Sequence, residues 1–405
     1  MKKFIMYGAG NIGRGFIGQT FANNGYSVGF IDINQEVISR LNTDKSYPVE
    51  VVTNDGTEVL RVENVYGIDG TNIELVAKEI ASCDIMATAI GVNVLKFIAK
   101  PIAEGLKLRF LSNAKPFNII ICENLIGADE FLKGLIKAQI PEYSDRIDKE
   151  VGFVEASIGR MVPVMTEEKK AGNPLRVCVE PYNILPVDKD AFRGEIPNSP
   201  TLYPFSPFNL FIQRKLFMHN MSHALCAYLG SIKGYDYIYQ TINDFDIKYI
   251  ANKALIQSAF AISSENKTNV VDLISHADNL IYRFSNKALG DTTLRVGRDT
   301  QRKLSSNDRL VGALKLAEKH NLSAEYICIG ISAGLLFSPE GDESSQALSQ
   351  FTKENGVKAS LKQYSDYEGK YVDLICTLYQ MLVEGKTVRE LSTYCEEIIG
   401  KEIRV

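Results

Sequence analysis

The chain has 405 residues, of which 45% are hydrophobic and 23% charged, and its formal net charge is −4. That length suits two domains, each with its own core, and the mildly acidic balance lacks the basic excess that draws proteins to nucleic acid or anionic lipid. Small-molecule partners are expected, with no nucleic acid and no membrane.

The opening "MKKFIMYGAG" carries an apolar run too short for a signal-peptide core, and no later window offers the roughly 18 uncharged apolar residues of a membrane span. A cytoplasmic protein, monomeric or a small homo-oligomer, is the expectation. The 7 cysteines are scattered without a C-x-x-C pair and read as reduced core residues.

Over residues 1–125, strand-like runs ("KKFIMYG", "SVGFIDI", "CDIMATAIG", "FNIIICEN") alternate with helical patterns such as "IGRGFIGQTFANNG". Such alternation predicts an α/β unit of doubly wound, Rossmann type, a parallel sheet with helices on both faces. "GAGNIG" (Gly8, Ala9, Gly10, Asn11, Ile12, Gly13) sits between the first strand and the first helix. Gly8 permits a tight turn, Gly10 lets backbone amides approach a pyrophosphate, and Gly13 lets helix and strand pack closely. The next strand ends at Asp32. A carboxylate there accepts from the adenosine ribose diol and repels a 2′-phosphate, so NAD is the expected cofactor rather than NADP.

Further on, "LRVCVEPYNILPVD" (175–188) alternates by twos and predicts an exposed or antiparallel addition to the sheet. "PNSPTLYPFSPF" then brings Pro197, Pro200, Pro204 and Pro207, which places the domain boundary there, with units 1–196 and 197–405. Beyond it the patterns are of helical period, for example "KYIANKALIQSAFAISSEN" and "EGKYVDLICTLYQMLVEG", so the second unit is expected to be mainly α-helical.

Within that unit, "RKLFMHNMSH" holds two of the 4 histidines. On an α-helix turning about 100° per residue, Lys215, His219, His223 and Asn220 fall near ~0°, ~40°, ~80° and ~140°, one polar sector on an otherwise apolar helix. A zinc site is weakened because Asn220 stands where H-E-x-x-H has its glutamate, so no metal is expected. A merely solvated polar stripe is the alternative. Lys215 beside so much apolar surface would instead be desolvated towards a neutral amine able to accept a proton.

K-x-x-x-x-N-x-x-H, filled by Lys215, Asn220 and His223, resembles the signature of the mannitol dehydrogenase family, the polyol-specific long-chain dehydrogenases. The likeness continues through "GAGNIGRGFIG", "NIIICEN", "VGFVEASIGRMVP", "RKLFMHNMSHALCAYLG" and "RVGRDTQRKLSSNDRL". It implies metal-independent, reversible oxidation of mannitol 1-phosphate to fructose 6-phosphate with NAD, in a cleft between the domains. Lys215 would take the hydroxyl proton, Asn124 and Asn220 would donate to the developing alkoxide, and His223 would orient the substrate hydroxyl. His219 has no fixed role in the pattern and reads as packing. Asn124 by itself also reads as a helix N-cap.

Arg295, Arg298, Arg302 and Lys303 form a basic cluster suited to a sugar or polyol phosphate, and the likeness to the phosphate-using branch points the same way. Solvated, the cluster would leave a hexuronate reductase or a free-polyol dehydrogenase as the alternative; a non-catalytic NAD-binding sensor is a further one. Gly159 departs from the family, which has aspartate before the arginine of D-R-I-x-P, here Arg160. Tyr249 and Lys253 match the Tyr-x-x-x-Lys of short-chain dehydrogenases but lie in the helical half, where that chemistry has no sheet to serve.

Overall fold

The computed structural model describes residues 1–402 and divides into two compact units, Met1–Phe208 and Asn209–Val405. In the first, eleven strands form: β1 (Lys3–Tyr7), β2 (Ser27–Asp32), β3 (Ser46–Val52), β4 (Thr57–Glu63), β5 (Val65–Asp69), β6 (Ile85–Thr88), β7 (Phe117–Ile121), β8 (Val151–Glu155), β9 (Val177–Val179), β10 (Leu185–Asp188) and β11 (Leu202–Phe205). Six make one all-parallel sheet in the order β5-β2-β1-β6-β7-β8. Counted along the chain, that is the doubly wound 3-2-1-4-5-6 arrangement, whose switch point lies between β1 and β6. Its inner strands are buried on both faces, as β1, β6 and β7 show in their near-continuous apolar runs.

The segment 175–188 departs from expectation. Pro181 interrupts it, and its halves join separate small sheets: β9 pairs parallel with β3 beside the β3–β4 hairpin, and β10 pairs parallel with β11. Both are buried and neither is a strand of the main sheet, although Val187 of β10 makes an isolated antiparallel bridge to Ala156, just past the edge strand β8. Pairing of β10 with β11 also explains why the proline-rich stretch stays with the first unit, so that the division falls after Phe208 instead of after Ile196.

The second unit is helical. Its centre is Glu325–Leu336, buried all round, against which Met221–Ile232 and Val372–Val383 pack. Gly330 and Gly334 let Leu225 and Tyr228 of Met221–Ile232 come close; a Cβ at Gly334 would stand 2.9 Å from the Tyr228 ring. The buried Glu325 carboxylate at the start of this helix accepts from Gln257 at 2.9 Å and from Ser323. All seven cysteines are free thiols, Cys376 alone being only half-buried. Among the described residues no helix is long and apolar enough to cross a membrane.

Candidate active site

The glycine turn follows β1 at the switch point. Gly8 has φ +106°, and a Cβ there would meet the Ala89 carbonyl oxygen at 2.5 Å, so the turn and the end of β6 fit together only around glycine. A Cβ at Gly13 would collide with the Gly8 carbonyl, whereas Gly10 faces open space, which is what a closely approaching pyrophosphate requires. Asp32 Oδ2 accepts from Ala9 N at 2.7 Å and Oδ1 from Asn34 N at 3.0 Å. Its carboxylate therefore braces the turn and keeps lone pairs for a ribose diol. On these grounds the turn and Asp32 fit NAD.

The helix after this turn opens with a π-helical stretch, Gly13–Gly18. The carbonyls of Arg14 and Gly15 in this stretch accept from Tyr47 Oη at 2.7 Å and Arg160 Nη1 at 2.9 Å. Arg160 is buried and also holds Gln19 and the Glu180 carbonyl, so the family arginine ties its loop to the nucleotide helix. Gly159 beside it faces Tyr182: a Cβ there would lie 3.1 Å from the ring, in space the family's aspartate would need.

Asn124 is exposed in the bend after β7, at the carboxyl edge of the sheet. It does not cap the following helix, Ala128–Gln139, whose N-cap is Gly127. Its neighbour Glu123, unremarked in the sequence, accepts from Ile90 N at 3.0 Å and Gly91 N at 2.8 Å, clamping the loop after β6 to the loop after β7. On β8, Glu155 accepts from Gly127 N at 3.0 Å; burial, with the charge of Asp129, pushes its carboxyl up to about 7.

In the second unit, Arg214–Asn220 is again π-helical, continuous with Asn209–Gln213 and Met221–Ile232. Met221 N donates to Leu216 O, five residues back. This corrects the α-helical wheel. With i→i+5 bonding, residues five apart lie about one turn above one another, so Lys215 and Asn220 share a face that a regular α-helix would split. Ser258 Oγ caps the Phe217 carbonyl of the widened turn at 2.7 Å.

Lys215 is half-buried. His219 is buried and lies edge-on to Phe284; His223 stacks on the same ring at 4.8 Å. Burial, then the charges of Lys215 and Arg283, hold His219 well below the usual imidazole range. Burial lowers His223 too, against the opposing pull of Asp291. His276 is held low by burial and by Arg214, Arg283 and Lys215. The histidines around Lys215 are thus neutral near pH 7, in surroundings that disfavour added positive charge. His223 Nε2 lies 3.5 Å from Asp291 Oδ2, and Asp291 Oδ1 also accepts from Arg295. Sequence spacing gave no reason to select Asp291.

The basic cluster is divided. Arg295, Arg298 and Arg302 are all exposed, Arg295 pairing with Asp291 and Arg302 with Asp299 at 2.6 Å and Asp308 at 3.3 Å. Lys303 is turned inward: its ammonium donates to the Val296 carbonyl at 2.6 Å and to that of Arg298. Burial, with Arg309 and Arg302 nearby, pulls it down to about 7. As a phosphate ligand Lys303 is therefore withdrawn, because its donors finish the carbonyls of the preceding helix end. Tyr249 and Lys253 lie on Phe245–Asn266, the ammonium 5.3 Å from the Tyr249 ring centre. Among the described residues no three His, Cys, Asp or Glu side chains converge as a metal-ligand set.

Residues 2–200 match the mannitol dehydrogenase Rossmann domain and residues 208–376 the mannitol dehydrogenase C-terminal domain. The mannitol-1-phosphate 5-dehydrogenase of Thermoanaerobacter pseudethanolicus is 33% identical over 369 residues, 91% of this chain and 94% of that one. That of Buchnera aphidicola subsp. Acyrthosiphon pisum is 32% identical over 366 residues, 90% of this chain and 94% of its own. A D-sorbitol dehydrogenase in substrate-free form superposes with TM-score 0.78 at 18% identity, covering 96% of this chain and 94% of that one. A Pseudomonas fluorescens mannitol 2-dehydrogenase, in ternary complex with NAD and D-mannitol, gives 0.75 at 15%, covering 99% and 94%. At such identities the two structures speak to the fold alone.

Proposed function

The chain belongs to the mannitol dehydrogenase family, NAD-dependent oxidoreductases of polyols, and on that premise we propose that it interconverts mannitol 1-phosphate and fructose 6-phosphate. The observation that carries the chemistry is the π-helical face of Lys215 and Asn220, on the helix that also carries the half-buried, neutral His223. NAD, when bound, supplies the hydride acceptor.

Lys215, as a neutral amine, takes the hydroxyl proton from the carbinol. Asn220 and Asn124 donate hydrogen bonds to the developing alkoxide, which places dipoles where negative charge appears. His223 orients a neighbouring substrate hydroxyl. Gly8, Ala9, Gly10, Asn11, Ile12 and Gly13 offer backbone amides to the cofactor pyrophosphate, and Asp32 selects the unphosphorylated ribose. For the substrate phosphate the reading keeps Arg295, Arg298 and Arg302 and drops Lys303.

The exposure of these arginines and the withdrawal of Lys303 favour a second reading, a free-polyol dehydrogenase or a hexuronate reductase. A panel of fructose 6-phosphate, fructose and hexuronates with NADH separates the two. Preference for the phosphorylated ketose, with Arg298→Ala raising KM about tenfold or more for it alone, supports the first reading. Equal use of fructose, or KM indifferent to Arg298→Ala, supports the second.

A further inference from the structure

Asp291 is a charged side chain in ion-pair reach of His223, and no step of the proposed chemistry uses it. It is 9% exposed, and its backbone is fixed from both sides: Ile238 N donates to the Asp291 carbonyl at 2.9 Å, and Thr293 N to Asp236 at 2.8 Å. The His223 ring is fixed as well, stacked on Phe284 with 14° between the planes. Between these held groups, Oδ2 is the anionic oxygen 3.5 Å from the buried Nε2, which makes no regular hydrogen bond, while Oδ1 accepts from the Arg295 guanidinium.

We propose that Asp291 is a positioning residue: its carboxylate keeps the proton of His223 on Nε2, so that Nδ1, with a free lone pair, is the nitrogen that meets a substrate hydroxyl beside the reacting carbinol. The inference rests on the reading of the Lys215 face as the catalytic one. The physical reason is tautomer choice. A neutral imidazole has one donor and one acceptor nitrogen, and an anionic oxygen beside Nε2 makes that nitrogen the donor. The acceptor is then Nδ1, which can take the hydrogen bond of a hydroxyl next to the reacting carbinol and so hold the polyol in place, leaving the carbinol's own proton to Lys215. The reverse tautomer would offer the hydroxyl a donor and set two acceptors against each other at Asp291. Because the same carboxylate holds Arg295, the hydroxyl-orienting and phosphate-facing side chains keep a fixed separation.

The chain has 4 histidines, so nitrogen NMR of the whole protein labelled with ¹⁵N-histidine resolves each ring, and His223→Gln assigns the resonance. The wild-type protein should show His223 as the neutral Nε2–H tautomer. Asp291→Asn, which can donate to Nε2, should shift it towards Nδ1–H and lower kcat for mannitol 1-phosphate by at least about tenfold, with NAD affinity unchanged. An Nδ1–H or doubly protonated His223 in the wild type overturns the proposal, and that measurement needs no variant to fold. An unchanged kcat in a folded Asp291→Asn protein overturns it too. Failure of the wider reading looks different: Lys215→Ala would retain turnover while the His223 tautomer stayed as stated.

Discussion

Asp32 braces a turn and, in the proposed reading, also meets the cofactor ribose. Its oxygens already hold Ala9 N and Asn34 N, so replacing it changes the turn as well as the ribose contact. Asp32→Asn should weaken NAD binding by about 10- to 100-fold and narrow the gap to NADP, as read by fluorescence titration with both nucleotides. Glu155 carries a pH signature. Its folded pKa of about 7 lies above the ordinary glutamate value, so its contribution to stability is complete below about pH 4.5 and is lost as pH rises through about 7. Thermal unfolding of Glu155→Gln between those limits should decline less with rising pH than that of the wild type; an identical slope would remove Glu155 as its source. Neither Glu155 nor Asp291 was legible beforehand. A lone carboxylate has no periodicity, and its importance comes from partners distant in sequence, whereas Lys215, Asn220 and His223 stand out by spacing within one stretch and Asp32 by its place after the glycine turn.

The two helices that carry the nucleotide turn and the Lys215 face both widen into π turns, and both rely on a hydroxyl from elsewhere to cap a carbonyl: Tyr47 on Arg14 and Ser258 on Phe217. Ser258→Ala leaves a carbonyl without that donor and should cost about 1–3 kcal/mol in chemical denaturation. It should also lower kcat, because the turn sets the alignment of Lys215 with Asn220. Unchanged stability and turnover would mean that the π turn holds itself. Gly13→Ala should cost about 1–3 kcal/mol or more and impair nucleotide binding, since its methyl group would run into the Gly8 carbonyl. The sequence shows the helix and its polar residues but not the π turn: apolar periodicity over so few residues does not distinguish i→i+4 from i→i+5 bonding. For 175–188 the alternation predicts strand, which forms, yet its pairing partners are set by β3 and β11, which local pattern cannot name.

At the scale of the molecule, alternation of strands and helices was enough to foresee a doubly wound unit followed by a helical one, because each rests on a period repeated many times. The boundary was less legible, since the prolines that mark it also border a strand, β11, that pairs back into the first unit. The buried, neutral His219 adds an acid limit to the helical unit. Its folded pKa is depressed, so its stabilisation is present above about pH 6.5 and is lost as pH falls through the folded value. His219→Gln should accordingly flatten the fall in unfolding midpoint below about pH 6.5. The central claim is a proton acceptor at Lys215 serving hydride transfer between NAD and a phosphorylated polyol. Its most direct test follows the loss of NADH absorbance with fructose 6-phosphate for the wild type and Lys215→Ala, alongside NAD titration of both. The account predicts turnover by the wild type, a fall of about 10²–10⁴-fold in the variant, and equal nucleotide affinity. A wild type that leaves NADH untouched, or a variant as fast as its parent, would contradict it.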